Sequence, residues 1–288
     1  MKRGLLVAFL TATVIASAQV RQETTLTDDW QFSQDKKIWQ NVSIPHDWAI
    51  AGPFDKKWDL QKVAIEQNGE TEATEKSGRS GALPWIGDGH YRRTLTIPAG
   101  CEHAELIFDG AMAEPVVFIN GQKAGYWAYG YNAFRVDITP FMKVGDNLLE
   151  VDLKNVEESS RWYPGAGIYR PVTLLLTQQT HLDDWSIDVR TVSQKDGKAV
   201  LEVEGKVIKP NQDLSANVAL VTPDGHAAVT NRDIHINGDG SFHTTLNVEG
   251  AKWWTPETPY LYKQGVSGVH HLAPSTLRVV WKLPSPLI

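Results

Sequence analysis

Two short, turn-rich stretches of the sequence concentrate aromatic, amide and guanidinium side chains: YWAYGYNAF (126–134) and RWYPGAGIYR (161–170). A pyranose ring offers an apolar C–H face that stacks on Trp or Tyr, while its hydroxyls need fixed polar partners. The candidate sugar-contacting residues are Tyr129, Tyr131, Asn132, Arg161, Trp162 and Tyr163, together with Asp88 from a separate segment. Two alternatives stay open, since such aromatic rings also serve as half-buried core or interface, and Arg161 could simply pair with a carboxylate.

The motifs of most other enzyme classes are missing from the sequence. It contains no P-loop, GxSxG, HExxH or Cys-x-x-Cys motif. The nine histidines show no metal-ligand spacing, and the adjacent His270 and His271 lie in an atypical tail. The segment DIHINGDGS (233–241) lacks the closing glutamate of a calcium loop and predicts a turn between strands. We therefore predict neither a metal nor another cofactor.

Residues 1–18 have the three parts of a secretory signal peptide. Lys2 and Arg3 form a positive start, an apolar run covers 5–15, and Ala-Ser-Ala at 16–18 supplies a small-residue cleavage site. The sequence therefore predicts a secreted, periplasmic protein. Its formal net charge of −6 would fall to about −8 on cleavage, which argues against nucleic acid or an anionic membrane as a partner.

Two further observations limit the class of protein. Cys101 is the only cysteine, so no intrachain disulfide is expected even in an oxidising compartment. No apolar span of 18 residues follows the signal, so no membrane insertion is expected.

Short alternating segments separated by Gly, Asn and Pro predict an all-β protein, because helical periodicity is nearly absent. Examples are HYRRTLTIP (90–98) and HAELIFDG (103–110). In EPVVFINGQKAGYW (114–127), Asn120-Gly121 separates two strand-like runs, which is a strong hairpin signal. YRPVTLLL (169–176) indicates a buried strand. Regularly spaced strands of this kind predict a jelly-roll β-sandwich.

The residue pattern of the sequence changes near Thr177–Leu182. From there on, less strongly apolar segments of alternating apolar and polar residues recur at immunoglobulin-like spacing. We therefore predict a sugar-binding jelly-roll domain over 19–179 and a smaller, incomplete immunoglobulin-like domain over 180–265. An atypical tail is expected over 266–288. Residues 61–82 are rich in Gly, Ser and Glu and predict either a long exposed loop or disorder.

Five ordered blocks together resemble the N-terminal sugar-binding domain of glycoside hydrolase family 2, in its β-galactosidase-type branch. They are IPHDWAI (44–50), GDGHYRRTLTIP (87–98), VFINGQKAG (117–125), GYNAFRVDITPFMKVGDNLLEV (130–151) and SSRWYPGAGIYRPVTLL (159–175). The segment WWTPETPYLYK (253–263) is similar to the end of the family's second, immunoglobulin-like domain.

This resemblance implies a jelly roll, an immunoglobulin-like sandwich and then a (β/α)8 barrel that holds the two catalytic glutamates of retaining hydrolysis. The chain is expected to end before that barrel, so no residue is carried over as catalytic. Asp88, Asp137 and Glu150 show no placement that would pair two carboxylates. The best-studied branch of the family also implies an aspartate in the loop after the Asn-Gly hairpin, where this sequence has Tyr129, so that this contact is expected to be replaced or absent.

Two further expectations come from the position of the blocks. Ile168 and Tyr169 are expected to lead into the core, and Arg170 to fix the turn before the last strand of the jelly roll. After Tyr262 the sequence departs from the family pattern, and its patternless end suggests a frameshift or a misjoined gene end.

Three functions are consistent with the sequence. The first is the non-catalytic N-terminal portion of a secreted family 2 hydrolase, which contacts a β-galactoside or related glycan and packs against its own barrel. The second is a stand-alone carbohydrate-binding module without hydrolase activity. The third is a structural sandwich of the cell envelope, which would expose an apolar edge rather than a polar aromatic loop.

Overall fold

The computed structural model describes residues 21–52, 54–55, 85, 87–155, 165–210, 214–269 and 275–281. The described residues form two compact units, one from Arg21 to His181 and one from Leu182 onward. Both consist mainly of β-strands, which confirms the all-β prediction. Within these ranges no helix is long and apolar enough to span a membrane.

Four of the sequence predictions fall on residues that the structure does not describe. They concern the signal peptide (1–18), the polar segment 61–82, the residues Arg161 to Tyr163, and the pair His270–His271.

The first unit contains ten strands and one short helix among its described residues. They are β1 (Gln22–Thr25), β2 (Trp30–Ser33), β3 (Gln40–Val42), α1 (Trp48–Ala51), β4 (Gly87–Ile97), β5 (His103–Phe108), β6 (Val116–Ile119), β7 (Gln122–Tyr126), β8 (Phe134–Asp137), β9 (Gly145–Asn155) and β10 (Val172–Thr177).

These strands form two sheets of a jelly-roll sandwich. One sheet has the strand order β1-β10-β5-β8, and the other has the order β3-β2-β4-β9-β6-β7. The long central strands β4 and β9 pair antiparallel from Gly87 opposite Asn155 to Ile97 opposite Gly145. Buried and more accessible residues largely alternate along both strands, because successive side chains of a strand point to opposite faces. One face of this sheet therefore covers the core, and the other is polar.

Aromatic rings fill the part of the core next to α1. Trp30, Phe32, Trp48 and Tyr91 are all at most 2% exposed. Their ring centroids lie 5.0–6.3 Å apart in four contacting pairs. Burying one such side chain contributes ~1.5–3 kcal/mol, so this cluster stabilises the end of the sandwich where α1 lies.

The Asn120-Gly121 turn between β6 and β7 is confirmed. Both residues have positive φ, 52° and 77°, as a type I′ hairpin turn requires. Asn120 Nδ2 also donates to the carbonyl of Phe141 at 3.0 Å and to Asn147 Oδ1 at 2.9 Å, while Asn120 Oδ1 accepts from the Leu148 amide at 3.0 Å. The turn is thereby tied to the start of β9.

The second unit is an immunoglobulin-like sandwich. Its strands are β11 (His181–Leu182), β12 (Asp188–Lys195), β13 (Lys198–Ile208), β14 (Ser215–Val221), β15 (Ala227–His235), β16 (Ser241–Glu249), β17 (Tyr262–Val269) and β18 (Ser275–Trp281). In one sheet β13 pairs with β11, β12 and β16, and the other sheet has the order β15-β14-β17-β18. Its core is mainly aliphatic, with Phe242 and Tyr262 as the buried aromatic residues among those described.

The predicted boundary between the second domain and the tail lies next to two paired strands. The expected domain end at residue 265 falls inside β17, and residues 275–281 form β18. The two strands pair antiparallel from Tyr262 opposite Trp281 to Gly268 opposite Ser275. Residues 275–281 lie in the segment predicted as a tail, and their Thr, Val and Trp residues favour the strand state in which they pair with β17.

One segment of the first unit, residues 165–170, makes backbone hydrogen bonds to residues 46–48 and to Met112, and we call it the crossing segment. Within it, Gly167 and Met112 exchange two backbone hydrogen bonds, both of 2.9 Å. Gly167 has φ +127°, and a Cβ there would clash with the carbonyl oxygen of His46 and lie 2.6 Å from the Tyr91 hydroxyl. Only glycine avoids both the backbone strain and the overlap.

We expect Gly167→Ala to destabilise the first unit by ~2–5 kcal/mol, because backbone strain of ~1–2 kcal/mol adds to an overlap of ~1–3 kcal/mol. Gly100→Ala is the matched control, since Gly100 also has positive φ, +84°, but open space around a Cβ. It should lose only the strain, ~1–2 kcal/mol. Urea unfolding of both variants measures the difference, and equal losses would contradict the close packing at Gly167.

Candidate functional site

The aromatic loop, residues 127–133, connects β7 to β8. It holds three of the residues predicted from the sequence to contact a sugar, Tyr129, Tyr131 and Asn132. Trp127, Tyr129 and Tyr131 are 37%, 59% and 49% exposed. The rings of Tyr129 and Tyr131 lie 5.6 Å apart at an interplanar angle of 59°. Two tyrosine rings in contact thus face solvent side by side, which is the type of surface that a sugar ring requires.

Trp127 anchors the loop to the core. Its indole Nε1 donates to Asn132 Oδ1 at 2.9 Å, which closes the loop across its own base. Its ring stacks on Phe134 at 5.8 Å and 8°, and Phe134 stacks on Phe108 at 4.8 Å and 2°. Asn132, predicted as a polar partner for sugar hydroxyls, therefore uses its carbonyl oxygen to hold the loop, and its amide nitrogen is the group left for a ligand.

The crossing segment holds the backbone of the aromatic loop by hydrogen bonds. Tyr169 Oη donates to the carbonyl of Gly130 at 2.7 Å, and Arg170 Nη1 donates to the carbonyls of Tyr131 and Asp109, each at 3.3 Å. The guanidinium of Arg170 also lies 5.3 Å from the Tyr169 ring centroid. The backbone between the two exposed tyrosines is thereby fixed before any ligand arrives, which lowers the entropy cost of binding.

Close packing under the loop adds to this rigidity. A Cβ on Gly130 would clash with the Met112 sulfur and lie 2.8 Å from its methyl carbon. Met112 is the residue whose backbone pairs with Gly167 of the crossing segment. The loop and the crossing segment therefore share one neighbour in addition to their direct hydrogen bonds.

The Tyr169 hydroxyl remains a neutral donor. Burial raises its pKa above the ordinary tyrosine value, and the nearby Tyr131 and Tyr129 add to the increase, while the positive charge of Arg170 opposes it. The hydroxyl therefore stays protonated near pH 7 and can donate its hydrogen bond to the Gly130 carbonyl.

Residues 46–48 fix the other side of the crossing segment. The His46 amide donates to the carbonyl of Ile168 at 2.8 Å, and the Trp48 amide donates to the carbonyl of Ala166 at 3.0 Å. Asp47 Oδ1 accepts from the amides of Ala49 and Ala166, at 3.0 and 3.1 Å. Asp47 therefore caps α1 and ties it to the chain immediately after the undescribed residues 156–164.

His46 and Tyr91 form an uncharged pair beneath the crossing segment. His46 Nδ1 lies 2.7 Å from the Tyr91 hydroxyl. Burial lowers the pKa of His46, with Asp47 opposing the effect, and burial raises the pKa of Tyr91 well above its usual value. Both side chains are neutral near pH 7, so they support the crossing segment by packing and hydrogen bonding rather than by charge.

The sequence-predicted site residues are placed as follows. The structure brings Tyr129, Tyr131 and Asn132 together in the aromatic loop. Asp88 lies exposed on β4, opposite Lys154 of β9, and in the described ranges no hydrogen bond joins it to that loop. Arg161, Trp162 and Tyr163 lie outside the described residues.

The structure also adds residues that sequence reasoning did not place in the site. Ile168 is buried, as expected. Arg170, expected to fix the turn before the last strand, donates to the carbonyls of Asp109 and Tyr131 in two other segments. Tyr169 is only partly buried, and its hydroxyl holds the aromatic loop instead of entering the core. Asp47 was missed as a support, although its position directly before an apolar helix start is a recognisable capping signal.

Among the residues that the structure describes, Glu202, Glu204 and His243 form a cluster with metal-ligand atoms within 4.8 Å of one another. Arg190 Nη2 lies 2.7 Å from Glu204 and 3.8 Å from Glu202. Because this arginine already supplies positive charge to both carboxylates, we assign no metal to the cluster.

Comparison with known proteins relates the chain to one group of enzymes. The model of the family described as "Glycosyl hydrolases family 2, sugar binding domain" matches residues 23–178. The chain is 31% identical over 264 residues to Beta-galactosidase BoGH2A of Bacteroides ovatus, and 25% identical over 265 residues to Beta-galactosidase of Kluyveromyces lactis. These alignments cover 84% and 82% of this chain but 29% and 25% of the relatives. The chain thus spans about a quarter of the length of the curated relatives it matches.

Solved structures share the fold. A glycosyl hydrolase family 2 member from Bacteroides cellulosilyticus superimposes with a TM-score of 0.77 at 22% identity, covering 91% of this chain and 35% of that one. A Bacteroides uniformis beta-glucuronidase superimposes with a TM-score of 0.68 at 23% identity, covering 91% and 32%. At these identities the likeness concerns the fold alone.

We expect Tyr169→Phe to loosen the aromatic loop, because the Gly130 carbonyl loses its donor. The loss of stability should be ~0.5–1.5 kcal/mol, the usual contribution of one hydrogen bond. Amide hydrogen exchange of residues 129–132 should accelerate as well. Tyr126→Phe is the control, since Tyr126 is 49% exposed on the adjoining strand. Unchanged protection of the loop in Tyr169→Phe would show that this hydroxyl does not hold it.

Proposed function

Because this chain belongs to glycosyl hydrolase family 2 through the sugar binding domain at residues 23–178, we propose that it is the non-catalytic, glycan-contacting part of a β-glycosidase. The observation that supports this most directly is the pair of exposed tyrosines, Tyr129 and Tyr131, on a backbone fixed by Tyr169 and Arg170. A rigid aromatic surface of this kind binds the apolar face of a sugar at low entropy cost.

The catalytic carboxylates are proposed to lie on a domain that packs against this one. Retaining hydrolysis needs two carboxyl groups ~5–5.5 Å apart. Asp88, Asp137 and Glu150 lie on β4, β8 and β9, and β8 belongs to a different sheet from the other two. Asp137 Oδ1 accepts from the Thr139 amide at 2.9 Å and lies 3.7 Å from His103 Nδ1. None of the three is therefore assigned a catalytic role.

The proposed substrate is a β-linked galactoside or glucuronide. Relatives that share 31% and 25% identity with the chain are beta-galactosidases, and a structural neighbour is a beta-glucuronidase. The side chain at the position where the galactosidase branch implies an aspartate is Tyr129, which offers a ring face and a hydroxyl instead of a charge. A neutral aromatic contact suits either sugar.

The proposal is tested by titrating methyl β-galactoside and methyl β-glucuronide into the purified chain, with binding followed by NMR. We expect weak binding, which Tyr129→Ala and Tyr131→Ala each reduce by about 2–10-fold, the equivalent of one aromatic contact. Trp185→Ala is the control, because Trp185 is an aromatic residue of the second unit with 49% exposure. The chain by itself should hydrolyse neither the p-nitrophenyl β-galactoside nor the β-glucuronide.

Two results would contradict this function. Turnover by the purified chain would show that it is catalytic by itself. Binding that is tight, with Kd below about 10 μM, would instead favour a stand-alone carbohydrate-binding module, since a surface that completes another domain's site needs little affinity of its own.

We also propose that the chain is exported, with residues 1–18 removed. The support is the sequence of a positive start, an apolar run and a small-residue cleavage site. Expression of the full sequence in a Gram-negative host should yield a periplasmic protein whose intact mass corresponds to a start at Gln19. Replacing both Lys2 and Arg3 by Glu should retain it in the cytoplasm, and an uncleaved cytoplasmic product from the unchanged sequence would refute export.

A further inference from the structure

A mainly apolar groove of about 520 Å³ lies on the second unit, in the segment that leads into β17. Trp253, Pro259 and Tyr260 line it, and the side chains of Trp253 and Tyr260 also pack against the core of this unit. Pockets of ~300–1,000 Å³ commonly hold a ligand in proteins. The groove is therefore large enough to take several side chains of a bound segment.

The walls of the groove are held by contacts of their own. The Lys252 amide donates to Tyr262 Oη at 2.9 Å, and the rings of Tyr260 and Tyr262 meet edge-on at 5.0 Å. Lys252 Nζ lies 4.9 Å from the centroid of the Tyr260 ring. On the other side, Thr255 Oγ1 accepts from the Thr258 amide at 3.0 Å. Because these contacts fix the walls in advance, binding in the groove costs little conformational entropy.

The pairing of β17 with β18 brings the chain to this groove. Trp281, the last residue of β18, is opposite Tyr262, the first residue of β17. Since the two strands are antiparallel, continuing the same register puts position 283 opposite Tyr260. A segment that follows β18 thus meets the wall of the groove within two residues.

Residues 282–288, with the sequence KLPSPLI, follow β18 directly and lie outside the described ranges. Pro284 and Pro286 have no backbone N–H and cannot donate to a β-ladder. The apolar side chains of Leu283 and Leu287 therefore need a cover other than a continued sheet. Proline-containing segments of this type favour the polyproline II conformation and dock into grooves lined by aromatic rings.

We propose that the groove binds residues 283–288 of the same chain, with Leu283 against Tyr260 and the two prolines along Trp253. The bound segment covers the apolar lining and anchors β18, which ends the sheet order β15-β14-β17-β18. An anchored edge strand is less open to pairing with another chain. The inference concerns the second unit alone and is independent of the function proposed for the aromatic loop.

The test compares amide chemical shifts, recorded by NMR, between the full chain and its double variant Leu283→Ser/Leu287→Ser. We expect the differences outside the segment to concentrate in residues 251–260, and to be independent of protein concentration, as a contact within one chain requires.

A synthetic KLPSPLI peptide then probes the groove directly. It should bind saturably to the double variant and shift residues 251–260. The unchanged chain should bind it at least about tenfold more weakly, because its own segment competes at an effective concentration on the order of millimolar.

Variants of the groove show where the peptide binds. Pro259→Arg places a charge in the apolar groove and should weaken peptide binding to the double variant by about tenfold or more. Pro256→Arg is the matched control and should leave binding unchanged, since Pro256 is exposed on the same loop but is not a lining residue. If Pro259→Arg does not fold, Tyr260→Ala replaces it, with a similar loss expected from the missing aromatic contact.

Three results would overturn the proposal. The first is equal peptide affinity of the double variant and the unchanged chain. The second is an equal effect of the groove variant and Pro256→Arg. The third is a set of chemical-shift differences that depends on protein concentration, which would place the segment in the groove of a second copy.

Discussion

The reciprocal pairing of Gly167 with Met112 is the constraint on which the arrangement of the first unit's aromatic surface depends. It brings the crossing segment against the His46 carbonyl and the Tyr91 hydroxyl, where no side chain fits. From that position Tyr169 and Arg170 reach the backbone of the aromatic loop. The exposed tyrosines are therefore held by a segment distant in sequence, whose own path depends on the absence of one Cβ.

The six-stranded sheet places buried residues on one face and accessible polar residues on the other, because side chains alternate along each strand. On β4, Tyr91 enters the aromatic cluster of the core while the next residue, Arg92, stacks on Trp39 at the surface. Since both properties come from one strand, its register determines them together. A shift of one residue would bury the guanidinium and expose the tyrosine, so the hydrophobic core also fixes which side chains lie on the outer face of the sheet.

Much of the fold was predictable because it depends on local pattern. Alternation along β4 and β9, the Asn120-Gly121 turn and the change of texture near residue 180 predicted two β-sandwiches of the kinds observed. The pairing of β18 with β17 was not predictable in this way, because which strands become neighbours depends on the tertiary fold. For the candidate site, the aromatic composition of residues 126–134 pointed to Tyr129 and Tyr131, but not to what holds them.

The sequence by itself determined the chemical character of this protein: strand periodicity, turn residues, an acidic balance and aromatic residues concentrated near two loops. These features depend on residue type and short-range spacing, both of which can be read directly from the sequence. Only the tertiary structure decided that Asn132 braces Trp127, that Tyr169 supports the loop instead of the core, and that Gln31, Asn41 and Arg92 form one row. Those contacts join residues from about 5 to 60 positions apart, and their geometry depends on how loops close and on which strands are neighbours in a sheet, which no local pattern encodes.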